Sequence, residues 1–142
     1  MQLTQFTDYA LRVLIYIAVR EDKCTIAEIA QVYDISENHL VKIVHKLAQE
    51  GILNTVRGKH GGIYLAKDPK TLNLKDLVLL LEPNFHIVGC FDKENANCKI
   101  IPVCKLKGIL GDALQQFMTV LDQYTLADII ENKKALKQHV SL

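Results

Sequence analysis

Apolar residues near the start of the chain fall at Phe6, Tyr9, Ala10, Val13, Leu14, Ile17 and Ala18, the three- and four-residue steps of an amphipathic helix from Phe6 to Val19. Thr4 or Thr7 is placed to cap it. After a short charged turn, Thr25 opens a second helix, "TIAEIAQVY", and Glu28 three residues on completes a capping box. The stretch "DIS" breaks that helix. Ser36 then caps a third, "ENHLVKIVHKLAQE", whose Leu40, Ile43, Val44 and Leu47 form a buried stripe. Gly51 ends it in the usual position past a helix C-terminus. Two helices joined by so short a break, the second well capped, make the pattern of a helix-turn-helix.

The period then changes. "GILNTVRGKHGGIYLAK" predicts two short strands, Ile52 to Val56 and Ile63 to Ala66, around a glycine-rich turn from Arg57 to Gly62. A hairpin tip carrying Arg57, Lys59 and His60 gains nothing for a core, whereas it suits phosphates and a narrow minor groove beside a recognition helix. Asn73 caps a further helix, "LKDLVLLLE", halted by Pro83. From Pro83 to Ile101 there is no periodicity, the mark of a functional or disordered loop. From Pro102, suited to a first helical position, apolar side chains recur at Leu106, Ile109, Leu110, Ala113, Leu114, Phe117, Val120, Leu121 and Tyr124. That predicts a helix of roughly 20 residues and ~30 Å, too long for so small a domain to cover. Its stripe either packs across its own domain or, the reading its length favours, pairs with the same helix of a second copy of the chain. "TLADIIEN", capped by Thr125, supplies a last helix. The expected fold class is mainly α with a small β-hairpin wing. A winged helix-turn-helix domain at 1–82 would be followed by a loop at 83–101, then by a dimerisation helix and C-terminal helix at 102–142.

Composition sharpens the functional side. The 142 residues, 49% of them hydrophobic, suffice for one domain with a real core. Net charge is only +1, but residues 1–36 carry −2, residues 37–70 carry +3 and the remainder is neutral. The positive excess coincides with the third helix and the wing, as do His39, His45 and His60, a local sign of anion binding. Double-stranded DNA is the partner these elements suit. The candidate contacts are Ser36 at the cap, Asn38, His39 and Lys42 on the exposed face of the third helix, and Arg57, Lys59 and His60 on the wing. The apolar start is a poor signal peptide, since Asp8 and Arg12 interrupt it and no positive leading region precedes it. No run reaches the ~18 apolar residues of a membrane span. The expectation is a cytoplasmic protein with reduced thiols.

Cys90, Cys98 and Cys104 are spaced C-x7-C-x5-C. Structural zinc sites show tighter pairs and four protein ligands. Thiolates wrapped loosely around a larger object fit an iron-sulfur cluster, where they bind different irons. Cys104 is expected in the first turn of the long helix, where the macrodipole favours a thiolate. Cys24, distant in sequence, reads as an incidental thiol. A fourth ligand is left open among His86, Asp92, Glu94, a partner chain or a small molecule, because Lys107, one turn past Cys104, cannot ligate while protonated. An electron carrier could use the same cluster, but it has no use for a basic wing, and no catalytic constellation points to an enzyme. A zinc-bound or cluster-free regulator is the other alternative.

The segments "MQLTQFTDYALRVLIYIA", "NHLVKIV", "VRGKHGGIYL", "LEP" and "LDQYTLADII", with the three cysteines, resemble the Rrf family of iron-sulfur winged-helix regulators over essentially the whole length. The resemblance implies a homodimeric repressor that binds a palindromic operator and holds an iron-sulfur cluster, 4Fe-4S being favoured over 2Fe-2S. Family members that govern cluster assembly carry a histidine three residues after the third cysteine. Here Lys107 stands there, the pattern of the nitric-oxide-sensing branch, which implies nitric oxide as the signal and release of DNA on nitrosylation. That branch also implies that the acidic residue of the first helix, here Asp8, is the fourth ligand and comes from the other subunit. Asp8 is equally placed to pair with Arg12 one turn on, so sensing could begin as an exchange of partners at this helix.

Overall fold

The computed structural model describes residues 2–140. Helix α1, Gln5–Arg20, starts at Thr4, whose hydroxyl accepts from the Thr7 backbone N–H, and ends at Glu21, which turns the chain with φ of 63°. Thr7, the other expected cap, is instead fully buried. Helix α2, Ile26–Tyr33, opens with the expected capping box between Thr25 and Glu28. Asp34 adopts φ of 53° and ends it. Helix α3, Glu37–Gln49, begins at Ser36, so the break is Asp34 to Ser36, as the sequence predicts. Leu14 of α1, Ile29 of α2 and Leu40 and Leu47 of α3 are each 0% exposed and meet in one core. Burying each such side chain contributes about 1.5–3 kcal/mol, which fixes the crossing of α3 over α1.

Strands β1, Leu53–Val56, and β2, Gly62–Leu65, pair antiparallel with Leu53 opposite Leu65 and Val56 opposite Gly62. Ile52, expected in the first strand, lies just outside it because its N–H caps α3 at the Leu47 carbonyl. The far edge of β2 is covered by the α1–α2 turn: Cys24 N–H donates to the Ile63 carbonyl at 3.1 Å, and Ile63 N–H donates back at 2.7 Å. The wing is thus stitched to the core on its second strand.

Helix α4, Leu74–Leu81, is capped by Asn73, and helix α5, Lys105–Leu121, runs 17 residues. The long helix starts later than the sequence predicts. Pro102 lies in a separate 3-10 turn, Ile101–Val103, and the extended backbone of Cys104 (φ −77°, ψ 103°) divides that turn from α5. Cys104 is therefore the N-cap and not a first-turn residue. Two short helices follow, α6, Leu126–Ile129, and α7, Lys133–His139, the second beyond anything its mixed polar sequence predicts. They turn back onto α1: Leu126 is 0% and Ile130 3% exposed, and Glu21 receives both Lys133 and Lys137. An isolated bridge between Asn73 and Thr125 ties this return to the start of α4. The C-terminal segment, grouped by sequence with the long helix, contributes side chains to the first core. Between Glu82 and Thr125, by contrast, no residue is buried.

Candidate DNA-reading face and cysteine site

The helical period of α3 sends Leu40, Ile43, Val44 and Leu47 into the core and leaves Asn38, Lys42 and His45 on the opposite, solvent side. Val41 is 50% exposed beside them. His45 and Val41 were not among the sequence-predicted contacts, although the helical wheel puts them on the face of Asn38 and Lys42. His39 is exposed but lies on the flank toward α1, where its imidazole stands 6.3 Å from the Tyr9 ring. Ser36 spends its hydroxyl on the His39 backbone N–H at 3.4 Å, holding the N-terminus of the helix in place.

At the wing tip, Arg57, Lys59 and His60 are all exposed. Their presentation depends on glycine: Gly58 has φ of 101°, and a Cβ at Gly61 would lie 2.3 Å from the Val56 carbonyl oxygen. Gly58 therefore takes the left-handed turn conformation, while Gly61 permits close backbone approach. Among the described residues, Lys42, Arg57 and Lys59 form no ion pair. Lys46 differs, with its Nζ 2.6 Å from Glu50 Oε1. Three free cations on one helix face and its adjoining hairpin make an anion-seeking surface.

All four cysteines are free thiols. Cys90 lies in the 3-10 turn Gly89–Phe91, Cys98 is exposed in the loop, and Cys104 sits at the α5 cap. Among the described residues no three His, Cys, Asp or Glu side chains converge as a metal-binding group, so Cys90, Cys98, Cys104 and Asp8 are not gathered within one chain. The chemistry of the donor set nonetheless fits an iron-sulfur cluster: three soft thiol donors, each at least partly open, sit on one segment in which no residue is buried. Of the nearby carboxylates, Asp92 is already engaged. Its oxygens accept from Asn95 Nδ2 at 2.8 Å and from the Glu94 and Asn95 backbone N–H groups, which hold its pKa below the usual range. Asp8 meets Arg12 in a two-pronged pair, Nη2 to Oδ2 at 2.8 Å and Nε to Oδ1 at 3.3 Å, about half exposed.

A protein family described as "Iron-dependent Transcriptional regulator", Rrf2, matches residues 3–132. The chain belongs to the Rrf2 family. It is 46% identical over 136 residues to the HTH-type transcriptional regulator NsrR of Bacillus subtilis, covering 94% of this chain and 93% of that protein. It is 42% identical over 144 residues to the NsrR of Halalkalibacterium halodurans, covering 100% and 99%. Among solved structures, CymR, the global cysteine regulator of B. subtilis, matches with a TM-score of 0.70 and 25% identity over 93% of this chain and 98% of that one. T. potens IscR matches in fold with a TM-score of 0.73 at 22% identity, covering 93% and 88%. As an Rrf2 member the chain is a transcriptional regulator and not an enzyme. No helix among the described residues is long and apolar enough to cross a membrane.

Within this Rrf2 chain Cys24, which sequence distance sets apart from the other three as an incidental thiol, has a place in the core. It is 2% exposed beneath the wing, its backbone bridges Ile63 and its thiol points at the Ile63 carbonyl at 3.8 Å. Burial pushes its pKa up to about 11, which favours the protonated thiol. Its neighbours Asp22, Lys23 and Thr25 are polar and exposed, so nothing local announced that the wing would cover it.

Proposed function

We propose that the chain is a homodimeric repressor that binds a palindromic DNA operator, holds an iron-sulfur cluster through Cys90, Cys98 and Cys104, and releases the operator in response to nitric oxide. The observation that carries this reading is the division of the chain into two kinds of surface. A packed core presents α3 and the wing with cations that form no ion pair among the described residues, while Cys90, Cys98 and Cys104 occupy a segment from Glu82 to Thr125 in which nothing is buried. The likeness to NsrR regulators supports it.

Asn38, Lys42 and His45 would enter the major groove, with Ser36 holding the helix N-terminus and His39 at the flank near the backbone. Arg57, Lys59 and His60 would grip the adjoining phosphates and minor groove. On α5, Leu106 is 61%, Ile109 63% and Val120 53% exposed, an apolar stripe suited to the same helix of a second copy. Pairing along it would set the separation of the two α3 helices near one helical turn of DNA, about 34 Å.

When bound, the cluster supplies a centre that reacts with nitric oxide and gives up thiolate ligands. The three thiols would then no longer tie the loop from Cys90 to Cys104 together. Cys104 stands at the N-cap position of α5, so loss of that tie acts at the start of the dimer helix. Asp8, offered from the partner's α1, would leave Arg12 while serving as fourth ligand and return to it afterwards. A cluster built from both chains links the relative position of the two α3 helices to ligation.

The test is anaerobic purification followed by visible absorption, iron and sulfide analysis and operator titration with and without nitric oxide. Cys90→Ser, Cys98→Ser and Cys104→Ser should each lose the chromophore and operator binding, whereas Cys24→Ser should keep both. Asp8→Ala should keep the dimer and weaken the cluster or alter its rate of nitrosylation. A Cys98→Ser protein with wild-type iron and sulfide would refute the ligand assignment.

A further inference from the structure

Tyr9 stands where the two functional halves of the chain meet. Its hydroxyl accepts a hydrogen bond from Gln5 Nε2 at 2.8 Å. On its ring, the Arg12 guanidinium carbon lies 5.8 Å from the centroid, and the His39 imidazole lies 6.3 Å away, tilted by 50°. Both distances fall within the range of attractive cation–ring and ring–ring contacts. Arg12 is in turn held by both carboxylate oxygens of Asp8. A run of neighbouring side chains therefore leads from Asp8, through Arg12 and Tyr9, to His39, the third residue of α3. The backbone N–H of His39 is also the one that Ser36 caps. A cavity of about 250 Å³, lined by Gln5, Phe6, Tyr9, His39, Lys42 and Ile43, lies alongside the ring.

We propose that Tyr9 is a positioning residue for DNA recognition, coupling the state of the Asp8–Arg12 pair to His39 at the entrance of the α3 helix. While Asp8 holds Arg12, the guanidinium is fixed against the ring. When Asp8 is engaged elsewhere, the ring is the contact that Arg12 retains among those described, and the two settle together in a new arrangement. His39 follows, because it packs on the same ring, and its movement acts on the capped first turn that enters the groove. The proposal rests on the reading of α3 as the DNA-contacting helix.

The test is a cycle of Asp8→Asn, which frees Arg12 without changing size, in three backgrounds: wild type, Tyr9→Leu and Tyr9→Phe. The His39 imidazole signals are read by proton–carbon NMR on the full chain stripped of metal by chelation, so this arm does not pass through the cluster. Duplex affinity is read on anaerobically purified protein. Asp8→Asn should shift the His39 signals in the wild-type and Tyr9→Phe backgrounds and not in the Tyr9→Leu background, while Tyr9→Leu alone, with Asp8 intact and equal cluster content, should change operator affinity at least about 5-fold and Tyr9→Phe should not. A His39 shift that is absent in the wild-type background, or equally large in the Tyr9→Leu background, overturns the role of Tyr9 while leaving the DNA reading intact. If wild-type protein binds no duplex, the DNA reading falls and the positioning role falls with it, whatever the spectra show.

Discussion

Lys59→Ala and Lys46→Ala remove the same charge from nearby positions, and the structure separates their consequences. Lys59 is exposed at the wing tip and makes no ion pair among the described residues, whereas Lys46 is held 2.6 Å from Glu50 on the flank of α3. A cation free to reach a phosphate displaces a counterion, and each such contact contributes about 0.9 to the slope of log affinity against log salt. A homodimer carries the substitution twice, so Lys59→Ala should lower that slope by about 1.8. Between about 50 and 200 mM salt, the advantage of the wild type then shrinks about 12-fold, or about 1.5 kcal/mol. The Lys46→Ala slope should move by less than about 0.5, because that ammonium is committed to Glu50 and its exposed pair is worth under about 1 kcal/mol. The assay is fluorescence anisotropy with a labelled operator duplex at four salt concentrations, using dimers of equal cluster content. Equal slope changes for the two variants, or none for Lys59→Ala, would refute the assignment of the wing as a phosphate contact.

Asn38→Ala should cost about 1–3 kcal/mol of discrimination between operator and an altered base pair with little change in salt slope, since an amide reads a base edge and carries no charge; competition titrations check this. Leu126→Ala should destabilise the fold by about 2–5 kcal/mol, because Leu126 is 0% exposed in the core beneath α1, and thermal or urea unfolding measures it. Cys24 gives a pH dependence whose sign is fixed. The folded protein holds the thiol proton more tightly than the unfolded chain, so its contribution is full below the ordinary value of 9.0 and is lost as pH rises through about 11. That loss is roughly 2–3 kcal/mol and should vanish from the alkaline limb of the stability profile in Cys24→Ala. Gly61→Ala should disorder the wing tip, since its Cβ would lie 2.3 Å from the Val56 carbonyl, and lose the Lys59 contribution to the salt slope without unfolding the core.

Local chemistry was enough to read α1 to α4 and the hairpin from the sequence. Thr25 with Glu28, Ser36 and Asn73 are caps whose partners lie within three residues, and the stripe Leu40, Ile43, Val44 and Leu47 repeats at the helical period. The basic tip of the wing was equally legible, because Arg57 to Gly62 needs no distant partner to form a turn. The cysteine spacing pointed to a soft, extended metal group, yet it could say nothing of how the thiols sit, since the loop between Cys90 and Cys104 takes its shape from few local bonds. Tertiary structure alone decided what depends on residues far apart in sequence. Cys24 is core and not surface because β2 closes over it from 39 positions away. The C-terminal helices belong with the first core because Leu126 and Ile130 find a cavity beside α1 that no local pattern advertises. Cys104 falls at the N-cap position of α5 because Pro102 lies in a separate turn before it. Tyr9 meets His39 only because α3 crosses α1 there, a contact set by the shared apolar stripe and invisible to either helix alone.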